Sequence, residues 1–202
     1  MTDSIIKQNT RILTPSEYEA LRGKMDAPHY PLICDALLLS GMRPIEFKRF
    51  RPEWYMASRR IIKLPKGACL KAKCEYKERS INLSLPGCDA FDKLISTKLK
   101  FKGKEVFAWE MTPAKVSFGD TLKRYAIAAG IGDEGICPKM FRKTLVSWLT
   151  VCFPEKREYI QASMGHNADT IVNNYIGLGF TREEIEQMRS KYLVEWGATY
   201  GS

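Results

Sequence analysis

The sequence predicts a mainly α-helical domain carrying a small antiparallel β-hairpin or sheet, and three observations predict it. Helix-start signals of the proline and capping-box kind recur along the chain. Two short β-rich runs, "RRIIKLP" and "RSINLSLP", lie close enough to pair. Over 202 residues, 45% apolar and 11% aromatic content suffices for one core, so residues 1–202 read as a single unit without internal repeats or low-complexity segments.

In "LTPSEYEALRGK", Thr14 caps, Pro15 suits the first helical position and Glu17 completes a capping box, giving a helix to about Gly23. "YPLICDALLLSG" gives a second helix from Pro31 to Gly41. "MRPIEFKRFRPEW" reads as a short helix and a turn. The two β-rich runs follow as a hairpin, joined by the lysine-rich "KGACLKAKCEYKE" at its tip. Helical pattern returns in "GCDAFDKLISTKLK" and in "TPAKVSFGDTLKRYAIAAGIG", capped by Thr112 with Pro113 and stopped at Gly130. "PKMFRKTLVSWLTVCF" ends before Pro154, "PEKREYIQASMGH" follows, and Asn167 caps a short helix containing Tyr175. In "TREEIEQMRSKYLVEWG", Thr181 and Glu184 form a second capping box at the head of an amphipathic helix.

Charge narrows the function. Lysine and arginine number 32 against 23 acidic residues, a formal +9, which makes a polyanion, nucleic acid first, the natural partner. No run approaches the roughly 20 apolar residues of a membrane span, and the N-terminus lacks a signal-peptide pattern, so a soluble protein of the cell interior without membrane partner is expected. The six cysteines never form CxxC, and Cys69 and Cys74 have no histidine nearby, which favours reduced thiols over a metal site. His29, at a helix start, reads as a surface or capping residue. Trp54, Trp109, Trp148 and Trp196 read as core or protomer-contact residues.

Arg43 in "SGMRPIEF" follows a helix-terminating glycine. In "KMFRKT", Lys139 and Arg142 are spaced to project from one helix face, with Arg142 pointing away from the core. "MGHNADTIVNNY" adds Gly165, His166 and Tyr175, and His166 is one of only two histidines. In this order and at these spacings the chain, from about Leu13 to Gly179, resembles the catalytic domain of the tyrosine recombinases, the phage-type integrases. The resemblance implies a tyrosine recombinase/type IB topoisomerase-like catalytic core. Lys139 stands where most of the family has histidine, which resembles the integrases of archaeal viruses and plasmids and points to a mobile element. The family's N-terminal core-binding domain has no counterpart in this chain, so a catalytic fragment or an unusually short member is expected.

The resemblance also assigns roles. Arg43 and Arg142 would grip the scissile phosphate, Lys139 would donate to it, and His166 would hydrogen-bond it or assist Tyr175. Tyr175 would attack to give a 3′-phosphotyrosine, with no metal, ATP or other cofactor. A hairpin lysine would be the general acid, with Lys73 preferred, Lys71 next, and Lys66 and Lys77 also eligible. Arg79 matches the arginine that opens the family's second hairpin strand, and Glu46 would buttress Arg43. Partners implied are double-stranded DNA and further copies of the chain in a tetrameric synapse. A non-catalytic DNA-binding module and a type IB topoisomerase are the alternatives.

Overall fold

The computed structural model describes residues 4–68, 78–111, 115–165 and 178–197, without the side chains of residues 115 and 116. The chain opens with a hairpin, β1 (Ile5–Lys7) and β2 (Thr10–Ile12), followed by helices α1 (Pro15–Gly23), α2 (His29–Ser40) and the single turn α3 (Pro44–Phe47). A three-stranded antiparallel sheet comes next, in the order β3 (Tyr55–Met56), β4 (Ile61–Leu64) and β5 (Arg79–Asn82). Helix α4 (Leu85–Ser96) leads into a second hairpin, β6 (Lys98–Phe101) and β7 (Lys104–Phe107). The described remainder is helical: α5 (Lys115–Ala128), α6 (Met140–Cys152), α7 (Arg157–Met164) and α8 (Arg182–Gln187), which runs into a π-type turn over Met188–Tyr192.

The mainly helical reading with a small antiparallel sheet holds, and several boundaries show why. Thr14 caps α1 through the Glu17 amide while the Glu17 carboxylate accepts from the Thr14 amide, and Thr181 and Glu184 repeat that reciprocal pair at α8. Gly41 closes α2 in the left-handed region at φ 61°. Helix α2 begins at His29, two residues before Pro31. The helix expected over "GCDAFDKLISTKLK" starts earlier and stops sooner. Ser84 Oγ accepts from the Gly87 amide and opens α4 at Leu85, so Pro86 sits in a first helical turn, where its missing N–H costs nothing. The distal "KLK" belongs to β6. Two hairpins were missed because their turns, Gln8-Asn9 (φ 48° and 54°) and Lys102-Gly103 (φ 50° and 78°), reach the primed-turn conformation without the usual Asn-Gly or Asp-Gly pair. Strand β3, two residues long, gave no periodic signal at all.

Helix α6 is the axis of the core. All of its residues except Lys143 and Val151 are buried, as expected of a helix surrounded by other elements. It holds Leu13 by both backbone groups: Thr144 Oγ1 accepts from the Leu13 amide at 3.0 Å and Trp148 Nε1 donates to the Leu13 carbonyl at 2.9 Å. Trp148 and Trp196 are buried, and Trp54 and Trp109 pack against the core, which agrees with their reading as core residues. The C-terminal segment also packs on its own core: Met188, Tyr192, Leu193 and Trp196 are buried, and Trp196 Nε1 donates to the Asn82 carbonyl at 3.0 Å. Cys34, Cys88, Cys137 and Cys152 are free thiols. No helix among the described residues is long and apolar enough to cross a membrane.

Candidate active site

The site forms where the C-terminal ends of α2 and α7 meet the first turn of α6 and the start of β5. Gly41 ends α2, and Pro44 opens α3 two residues after Met42. A residue preceding proline is driven out of the helical region, and Arg43 accordingly takes φ −66° and ψ 146°. Its amide donates to Glu46 Oε2 at 2.7 Å and its Nη1 to Glu46 Oε1 at 2.8 Å. Glu46 is 1% exposed and thus buttresses Arg43 as the sequence suggested.

Glu46 has a second partner. Arg79, the first residue of β5, donates from Nη2 to both carboxylate oxygens at 2.8 and 2.7 Å, and from Nη1 to the Ser163 carbonyl at 2.8 Å. Burial alone would push the Glu46 carboxyl up, but Arg79 and then Arg43 outweigh it and hold the group below the usual carboxylate range. Arg79 also underlies Gly165, whose φ of 61° caps α7; a Cβ there would stand 3.1 Å from Arg79 Cδ.

Arg142 differs from its expected placement. It does not point away from the core but is buried in the seam, with Nη1 donating to the Gly41 carbonyl at 2.8 Å and Nη2 to the Met164 carbonyl. Both carbonyls lie at helix C-termini, whose partial negative charge attracts a guanidinium. The contacts form a circuit: Arg43 to Glu46, Glu46 to Arg79, Arg79 to Ser163 at the end of α7, Met164 to Arg142, and Arg142 to Gly41, two residues from Arg43.

Lys139 precedes α6 as its cap residue and is exposed, so it does not share the buried orientation of Arg142. Lys143, part-buried, donates to the Lys7 carbonyl at 2.9 Å; burial lowers its ammonium from the usual lysine range, and Lys139 adds to that effect. The start of α6 therefore carries Lys139, Arg142 and Lys143 with no acidic residue in its first turn, against the usual preference for negative charge at a helix N-terminus. Such an arrangement is suited to receive an anion. Lys66 is exposed in the turn after β4, two residues beyond Leu64, the cross-strand partner of Arg79. Lys71, Lys73, Lys77, His166 and Tyr175 lie outside the described residues, as do Cys69, Cys74, Thr112, Pro113 and Asn167. The sequence had placed Arg79 at the strand start without a role; the signal that exposes it is the buried carboxylate it shares with Arg43.

A small sheet packs against a helical core, and an arginine-rich circuit joins the helix ends. Comparison with solved structures identifies the fold. The chain is similar to the Tn1549 transposon integrase in complex with transposon right end DNA (TM-score 0.62, 16% identity, 93% of this chain and 67% of that one). It is also similar to the XerA recombinase (TM-score 0.61, 14% identity, 93% and 65%) and to a lambda integrase dimer bound to a COC′ core site (TM-score 0.62, 14% identity, 88% and 64%). The chain thus has the tyrosine recombinase catalytic-domain fold and spans about two-thirds of each of these structures. No protein-family model matches it, and no curated protein does.

Proposed function

We propose that this chain is a site-specific DNA recombinase, an integrase that cleaves and rejoins DNA strands through a covalent 3′-phosphotyrosine on Tyr175. The observation that carries the reading is the circuit joining Arg43, Glu46, Arg79 and Arg142, in a fold shared with integrases and recombinases. Arg43 and Arg142 offer planar forks matched to the non-bridging oxygens of a phosphodiester and stabilise the charge of its five-coordinate transition state. Tyr175 Oη attacks phosphorus while the bond to the 5′ oxygen breaks, and a hairpin lysine, Lys73 first and Lys71 next, gives that oxygen its proton. The new ester stores the bond energy, so the reverse attack by a 5′-hydroxyl rejoins a strand without ATP or metal. Lys139 hydrogen-bonds the phosphate, and His166 hydrogen-bonds it or assists the tyrosine, whose ordinary pKa is about 10.

In this reading residues 1–202 are one catalytic domain that acts on double-stranded DNA inside the host cell, as pairs of active protomers within a tetrameric synapse. Lys139 in place of histidine supports a mobile-element integrase of the archaeal virus and plasmid kind. The test is trapping on nicked suicide duplexes with a randomised core. Wild type is expected to yield a covalent adduct whose mass shift maps to Tyr175, and Tyr175→Phe to yield none while binding DNA within about twofold. A wild type that forms no adduct from the library, or a Tyr175→Phe variant that still forms one, overturns the catalytic reading.

A further inference from the structure

We propose that Arg79 is a positioning residue that takes up the charge of Glu46, leaving Arg43 to deliver its own charge to a DNA phosphate. The inference rests on the reading above to the extent that Arg43 meets a phosphodiester.

A buried carboxylate beside a phosphate site is a liability, because it repels the ligand and competes for the arginine that should bind it. Glu46 nonetheless sits there, 1% exposed, fixing Arg43 through backbone and side chain. Arg79 resolves the conflict. Its Nη2 reaches both oxygens of Glu46, and the Arg43 side chain reaches Oε1 from Nη1. The fork of Arg79 is committed: Nη1 is on the Ser163 carbonyl, the side chain is 10% exposed, and Gly165 closes over its Cδ and Nε. With Nη2 on a carboxylate and Nη1 on a carbonyl, Arg79 serves as the counter-charge of Glu46. Its position at the head of β5 also ties the strand that follows the lysine-rich hairpin tip to the end of α7, through Ser163, whose Oγ accepts from the Asn82 amide at 3.1 Å. One side chain thereby sets the charge balance at Arg43 and joins β5 to the end of α7.

The experiment compares wild type, Arg79→Met, Glu46→Gln and the Arg79→Met/Glu46→Gln double variant. Duplex DNA affinity is measured by fluorescence anisotropy across a salt series, at a temperature where circular dichroism shows each protein folded. With Arg79 removed, Glu46 draws Arg43 to itself, so Arg79→Met is expected to lose about tenfold in affinity and about 0.9 in the slope of log K against log salt, the share of one phosphate contact. Removing the carboxylate as well frees Arg43, and the double variant is expected to regain the wild-type slope. A merely structural role leaves the double variant as weak as Arg79→Met, or weaker, and that result overturns the proposal. Should Arg79→Met fail to fold, the double variant, which buries no unpaired charge, decides the question: a slope lower than wild type by about 0.9 overturns the proposal, and an equal slope supports it. The readout needs no cleavage. A wild type without adduct but with this pattern refutes the recombinase chemistry alone, an active wild type without it refutes the role of Arg79 alone, and a wild type that binds no DNA refutes both.

Discussion

Replacing Gly41 by alanine should damage the protein in a way that an ordinary left-handed glycine does not. Gly41 has φ 61°, and an added Cβ would stand 2.9 Å from Met164 Sδ and 3.0 Å from Leu145 Cδ2. Both neighbours are fully buried, so neither can swing out to make room. The left-handed conformation costs alanine about 1–2 kcal/mol, and forcing a methyl into a filled core costs about 1–3 kcal/mol, giving about 2–5 kcal/mol in all. Gly130 is the control: its φ is 74° with nothing within 4 Å of an added Cβ, so Gly130→Ala should cost only the conformational share, about 1–2 kcal/mol. For a chain of this size a 3 kcal/mol loss lowers Tm by about 6–12 °C. Urea and thermal unfolding followed by circular dichroism measure both variants. If Gly41→Ala is no less stable than Gly130→Ala, the close approach of α2 to Met164 and Leu145 is not as the structure shows it.

Two further outcomes are expected. Arg142→Ala strips the buried Gly41 and Met164 carbonyls of their donor and should cost about 2–5 kcal/mol in urea unfolding, so its loss of activity cannot be assigned to phosphate binding; Arg142→Lys should stay folded yet form the Tyr175 adduct at least about tenfold more slowly, and an unchanged rate would make Arg142 a structural clip only. Glu46 has a depressed pKa in the folded protein, so its contribution to stability is complete above the ordinary carboxylate value of about 4.3 and is lost as pH falls through the folded value; urea unfolding between pH 3 and 7 should show an acid limb that flattens in Glu46→Gln, and an identical limb in both proteins would reject the depression.

The helices were legible because their ends carry side-chain chemistry that is local in sequence. Thr14 with Glu17 and Thr181 with Glu184 act over three residues, and Gly41 needs only its own backbone freedom. The hairpins β1–β2 and β6–β7 were not, because strands of three or four residues offer too few positions for alternation and their turns use Gln-Asn and Lys-Gly. At the site, Arg43 and Glu46 could be read together since they share a turn. The partnership of Glu46 with Arg79, 33 residues away, and of Arg142 with Gly41, 101 residues away, depends on tertiary contact that no spacing encodes. The outward orientation expected for Arg142 follows from the apolar spacing of "FRKTLVSWL", which turns its apolar residues to the core, and it fails because two helix C-termini supply buried acceptors for the guanidinium.

That failure points to what sets this site apart from the rest of the fold. At α1 and α8 the chain obeys the ordinary rules: Glu17 and Glu184 stand in first turns, and a buried ion pair, Arg11 with Glu17, also closes a cap. At the start of α6 it places three cations where the helix dipole opposes them, and beside it a carboxylate with almost no access to water. Sequences tolerate such local conflicts where function requires them. Carbonyls at two helix ends hold Arg142, and Arg79 balances Glu46, so the guanidiniums are fixed before any ligand arrives. Charge fixed in advance spends no reorganisation on the ligand, and that is the condition under which hydrogen-bond donors stabilise a developing phosphorane more than the ground-state diester.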